Sequence, residues 1–151
     1  MKGFTLLEVM IYIALFSLIL SAAALAGYQL FDSGERNQSA VSIQEEGTFL
    51  NRKINWALTG ASVVAVSGGG STLTITRPDF ILQSPFILNG TGNTITMQRT
   101  GSSPAVLNSA AFPVTNVIFT VVPASGGRPA SVKTSFLIKN VPFTFWKYLR
   151  Q

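Results

Sequence analysis

The sequence predicts an α+β fold: a long N-terminal helix whose second half packs on an antiparallel β-sheet. Three observations predict it. A long apolar run opens the chain, with Glu8 its single charge until Asp32. An amphipathic helical pattern follows as far as Leu58. From Ala61 the pattern changes to short runs rich in β-branched and aromatic residues, punctuated by glycine and proline. The chain has 151 residues, enough for a stem and one domain. The part beyond the stem, about 90 residues, buries only a modest core alone. It therefore needs the helix as part of its apolar cover.

The helix is expected from about Thr5. Residues 4–31 hold good helix formers and no proline. The run is long enough to cross a bilayer, which takes about 20 apolar residues. Ser17, Ser21 and Gly27 are its small or polar positions, which soften it or allow close helix contact. Asp32-Ser33-Gly34-Glu35 marks the exit from the apolar run. Gly34 costs about 1 kcal/mol against alanine in a helix, which leaves room for a kink or short break. Residues 32–59 then read as an amphipathic stem. Ile43, Leu50, Ile54 and Ala57 or Leu58 fall on one face, with Ala40 and Gly47 beside them, and that face reads as domain core. Thr59-Gly60 is the stop, because glycine readily takes the left-handed conformation after a helix.

Residues 60–151 read as the β-rich domain. Ser62–Val66 and Thr72–Thr76 flank Ser67-Gly68-Gly69-Gly70-Ser71, a hairpin with a flexible turn. No helix and no Lys-Ser/Thr follow the glycines, so this is not a phosphate-binding P-loop. Phe80-Ile81-Leu82 and Phe86-Ile87-Leu88 flank Ser84-Pro85, which points to an edge strand or two short pieces. A turn at 89–93 leads back into Thr94–Gln98. Val114–Val122 is the strongest β run, with Val117, Phe119 and Val121 on one face. After a turn at 123–129, Val132, Thr134, Phe136 and Ile138 alternate with polar or exposed-type residues, so this strand is expected to pair with the previous one. The aromatic tail, Phe143 to Tyr148, either closes the core as a last strand or forms an exposed contact.

Composition removes several kinds of chemistry. There is no cysteine, so no disulfide, and no histidine, which excludes Ser-His-Asp and Cys-His catalysis and the usual zinc ligand sets. Beyond the stem the only acid is Asp79. Paired-carboxylate hydrolysis and calcium cages both need more. The sequence therefore predicts no enzyme, no metal and no cofactor. Net charge is +5. From Arg77 onward Arg77, Arg99, Arg128, Lys133, Lys139, Lys147 and Arg150 stand against Asp79. They form no run and no stacking pattern with aromatics. Nucleic acid is thus the lesser reading of this charge. The stem of an adjacent copy, with Glu45 and Glu46 side by side, is the more economical partner.

The remaining question is Glu8. A charged acid at the centre of a membrane helix costs about 2.5–3.5 kcal/mol, and less near the interface. It implies a function and a partner. Lys2-Gly3-Phe4-Thr5-Leu6-Leu7-Glu8-Val9 resembles the prepilin signal of type IV pilins and of the pseudopilins of type II secretion. The resemblance rests on a basic leader, Gly3, Phe4, Glu8 and the apolar run together. It implies cleavage between Gly3 and Phe4 by a membrane-embedded prepilin peptidase, and N-methylation of Phe4. Residues 1–3 would be the leader. Glu8 would pair with the amine of Phe4 on a neighbouring subunit in a filament core. Two other readings stand beside it: a secretory signal cut near Ala22-Ala23-Ala24, and an uncleaved anchor.

The expected role is structural: a minor pilin or pseudopilin of a type IV pilus-like or type II secretion filament. The implied partners are the peptidase, other pilin subunits, the inner membrane, and an assembly platform with its motor. The implied location is the inner membrane, single-pass, with the C-terminal domain outside the cytoplasm, and then the filament. The absence of cysteine departs from many type IV pilins, which close a C-terminal loop with a disulfide. A DNA- or surface-binding minor pilin, or a major pilin, is the alternative.

Overall fold

The computed structural model describes residues 5–80 and 82–149. The chain divides into two compact units after Val41. The first contains the apolar part of helix α1, Leu6–Leu58. Gly34 lies inside α1, so the break its propensity allows does not occur. Every large apolar side chain from Leu6 to Phe31 is exposed.

The second unit contains the end of α1 and eight strands. The first five form one antiparallel sheet in sequential order: β1 (Val63–Ser67), β2 (Thr72–Thr76), β3 (Phe86–Thr91), β4 (Thr94–Arg99) and β5 (Ala105–Val106). The other three form a second antiparallel sheet: β6 (Val114–Val122), β7 (Ser131–Ile138) and β8 (Val141–Tyr148). The α+β expectation holds, with the strands shared between two sheets.

The helical face expected from the sequence is the buried one from Ile43 on, with Gly47, Leu50, Ile54, Ala57 and Leu58; Ala40, expected beside them, is exposed, because it lies before the part of the helix that the β-domain covers. The buried face joins a core with Leu73, Ile75, Phe86, Leu88 and Ile95 of the first sheet and Val114, Phe119, Val132, Phe136, Ile138 and Phe143 of the second. Gly47 is there because the Phe143 ring occupies the space a Cβ would need. That ring is held in turn by Phe136, stacked at 5.5 Å, and by Phe145 at 6.1 Å.

Two local readings change, and β6 keeps its expected inward face but carries an irregularity the sequence did not signal. The Ser67–Ser71 turn is built rather than slack. Gly68, Gly69 and Gly70 all have positive φ, and Gly70 is buried against Ile118 and Phe119. Glycine is the residue that takes such a run without strain. β3 is an interior strand, because Pro85 precedes its first residue and withholds no N–H from the ladder. Ile81 lies outside the described residues. β6 carries a bulge between Thr115 and Ile118, with Asn116 at a φ of 53°. The extra residue shifts the alternation, so that Val114 and Val117 both turn inward.

The tail forms the last strand and closes the core with one face, leaving the other exposed. β8 pairs with β7 along its length. Phe143 is buried and Phe145 half-buried, while Trp146 and Tyr148 on the other face are exposed.

Candidate functional site

The first candidate is the start of α1. Thr5 caps it: its carbonyl accepts the Glu8 N–H at 3.1 Å and its hydroxyl lies 3.4 Å from the same nitrogen. Thr5-Leu6-Leu7-Glu8 has the spacing of a capping box, a signal that sequence reasoning missed. Glu8 therefore stands in the first helical turn, where the helix dipole favours an acid. One of its carboxylate oxygens accepts the Tyr12 hydroxyl at 3.3 Å, one turn on. Gly3 and Phe4, the other two residues of the expected site, lie outside the described residues.

Around Glu8 the surface is apolar. An 18-residue window of α1 has mean hydropathy 2.4, and none of it is buried. Its hydroxyls are satisfied within the helix: Ser17 donates to the Ala14 carbonyl at 2.9 Å and Ser21 to the Ser17 carbonyl at 2.8 Å. This suits hydrocarbon, where no water replaces a missing partner. Charge returns with Asp32, paired with Arg36 at 3.0 Å on the same face. The helix thus has an apolar stretch bounded by an acid at one end and an ion pair at the other.

The basic residues are the second candidate, and the fold rearranges them. Arg77 is buried rather than solvated. It donates to the Trp56 carbonyl at 3.1 Å and to Asp79 at 2.7 Å, and it lies 4.4 Å from the Phe80 ring centroid. The Trp56 carbonyl also accepts the Thr59 N–H at 3.2 Å, so Arg77 adds a second donor in the last turn of α1. The hydrogen bond from Arg77 to Asp79 holds the Asp79 carboxyl below the usual aspartate range. Arg99 lies over Trp56 and Phe86, both at 5.8 Å. Lys139 lies over Phe112 at 4.9 Å. Lys133 lies over Trp146 at 5.5 Å. Cations and aromatics that do not interleave along the chain are therefore interleaved in space. Apart from Arg77 and Phe80, which are three positions apart, they meet at separations no local pattern reports.

Two shallow cavities border these groups. One, of about 560 Å³, lies between the 123–129 turn and the exposed face of β8, with Arg128, Trp146 and Tyr148 in its lining. The other, of about 300 Å³, is lined by Arg52, Lys53, Trp56, Met97 and Arg99. Among the described residues no group of three or more His, Cys, Asp or Glu is placed to hold a metal ion.

Residues 1–24 match the family model of the prokaryotic N-terminal methylation motif. The match covers Gly3, Phe4, Glu8 and most of the apolar run. It supports the type IV pilin and pseudopilin family, whose members are structural rather than enzymatic. No curated protein and no solved structure matches the chain.

Proposed function

We propose, for a chain that carries the methylation motif of the type IV pilin and pseudopilin family, the role of a filament subunit of the minor pilin or pseudopilin kind. The observation that carries this reading is Glu8, an acid in the first turn of a helix whose apolar surface its own chain leaves uncovered. Lipid covers that surface in the membrane, and neighbouring stems cover it after assembly. Residues 1–3 are removed between Gly3 and Phe4 by a prepilin peptidase, and the new amine of Phe4 is methylated. Residues 4–31 form the membrane and filament-core helix, 32–59 the outer stem, and 60–151 the β-rich domain. The chain crosses the inner membrane once, with that domain outside the cytoplasm, before an assembly platform and motor add it to a filament.

In this role Glu8 meets the Phe4 amine of a neighbour. Joining the two in hydrocarbon removes two unpaired charges at once, which sets register and adds stability. The test is Glu8→Leu in the full chain. Cleavage is expected to proceed, while incorporation into sedimentable filaments falls about tenfold or more, the effect of about 1.4 kcal/mol. Glu8→Leu polymerising at the native level would remove Glu8 from the assembly step.

A second reading, DNA or surface binding by the same scaffold, draws on Arg128 and Lys133 beside the exposed Trp146 and Tyr148. It requires that charge reversal at both cations abolish binding and leave assembly intact.

A further inference from the structure

The second sheet has one face on the core and one face open. In the register of β6, β7 and β8, Val122, Ser131 and Tyr148 stand in one row, and Thr120, Lys133 and Trp146 in the next. Side chains two apart on a strand share a face, and Val132 and Thr134 take the core side, so both rows lie on the open face. Trp146 and Tyr148 are exposed there. Ser131, between Val122 and Tyr148, is only 4% exposed. It lines the 560 Å³ cavity, and its hydroxyl has no hydrogen-bond partner among the described residues. Buried polar groups are nearly always paired, so this hydroxyl points to a partner from outside the chain.

The rim of the cavity is built in advance. Ser125 and Arg128 exchange both backbone hydrogen bonds, at 3.2 and 3.0 Å, around Gly126 and Gly127. Both glycines have positive φ, 58° and 80°, the geometry of a tight two-residue hairpin turn. The turn brings Arg128 to the cavity. Arg128 forms no ion pair among the described residues, and no acid lines the cavity. The Lys133 ammonium lies 5.5 Å from the Trp146 ring centroid. The site therefore combines two aromatic rings, an unsatisfied hydroxyl and two cations. That set fits a ring that is apolar on one face, hydroxylated at its rim and negatively charged. A nucleic acid would call for a track of cations, on the order of six to ten phosphate contacts. Here the track is missing: Arg77 is buried on Asp79, Arg99 lies over Trp56 and Phe86, and Lys139 over Phe112.

We propose that this cavity binds an acidic saccharide, a uronate-type unit of an anionic polysaccharide. The apolar face of the sugar ring rests on Trp146 and Tyr148. Its carboxylate pairs with Arg128, whose planar guanidinium matches a carboxylate through two parallel hydrogen bonds. Ser131 exchanges a hydrogen bond with a sugar hydroxyl, and Lys133 adds positive charge beside Trp146. The assignment rests on the surface-binding reading, whose ligand class it names, and is independent of filament assembly.

The test is calorimetric titration of the full chain in detergent with a polygalacturonate oligomer, a neutral dextran oligomer and a single-stranded DNA oligonucleotide. Saturable binding of polygalacturonate is expected, about tenfold or more tighter than that of the other two, the worth of a charge-assisted hydrogen bond. Arg128→Gln should weaken it by a similar factor, while Arg99→Gln, at the other cavity, should leave it unchanged. Ser131→Ala should weaken binding several-fold without lowering the melting temperature, because no bond within the chain is lost. A lowered melting temperature with unchanged binding would overturn the role of Ser131. No saturable binding, equal binding of dextran, equal losses in Arg128→Gln and Arg99→Gln, or no loss in Arg128→Gln would overturn the proposal. DNA bound as tightly, and lost on charge reversal at Arg128 and Lys133, would also overturn it but keep the nucleic-acid reading of this surface. Binding of none of the three would remove both.

Discussion

The two units use the same residue types to opposite ends. From Leu6 to Phe31, leucine, isoleucine and phenylalanine all face outward. From Ile43 onward the same types fill a core in which Leu50, Leu73, Ile75, Phe86, Leu88 and Ile95 are inaccessible to solvent. The difference is in what covers them. The β-domain closes around its end of the helix and satisfies its own apolar surface. The stem leaves that surface uncovered, and in the proposed role lipid or other stems cover it. Stability should therefore be sensitive to truncation in one unit and insensitive in the other, while assembly responds in the reverse sense.

The largest effect that sharpens this contrast is expected at Phe86, which packs edge-on with Trp56 at 5.7 Å and Phe80 at 6.1 Å. Phe86→Ala should cost about 3–5 kcal/mol in denaturant unfolding of the detergent-solubilised chain. Leu18→Ala in the stem should change that value by less than about 0.5 kcal/mol. Equal losses would break the comparison. Arg77→Ala comes next, at about 1.5–3 kcal/mol, because it removes charge-assisted bonds to Asp79 and to the Trp56 carbonyl. A solvated surface arginine would lose almost nothing. Gly47→Ala should cost about 1–3 kcal/mol through overlap with the Phe143 ring, visible as a lowered melting temperature.

The smallest effect is a pH dependence. The folded carboxyl of Asp79 titrates below its unfolded range, first of all because of its hydrogen bond from Arg77. Its contribution is complete above the unfolded value of about 3.9. It is lost as pH falls through the lowered folded value. Asp79→Asn should therefore flatten the acid limb of the stability profile and leave its shape near neutrality unchanged. A profile altered only near neutrality would contradict this assignment.

The stem was legible because its signals are local: an uninterrupted apolar run, one acid, and a stop at Thr59-Gly60. The buried face of Ile43, Leu50 and Ile54 was legible for the same reason, as was the pairing of β6 with β7. What could not be read depends on distant residues. Arg77 looks like any surface cation until Trp56 and Asp79 are brought beside it. Asn108, in no motif, is a buried hub that accepts the Ile95 N–H at 2.9 Å and donates to the carbonyls of Asn93 and Phe112. The two-residue strand β5 and the division into two sheets have no periodic signature. At the candidate site the sequence pointed to Glu8 and to a helix start at about Thr5, and missed only the capping role of Thr5, although its spacing was present. Gly3 and Phe4 lie outside the described residues, so their roles stand on the motif.

The most direct test of the central claim is the intact mass and N-terminal peptide of the protein isolated from native membranes. The filament-subunit account predicts a chain that begins at Phe4 with a methylated amine. A chain that begins at Met1, or after the alanines at 22–24, would contradict it and leave a tethered or secreted β-rich domain instead.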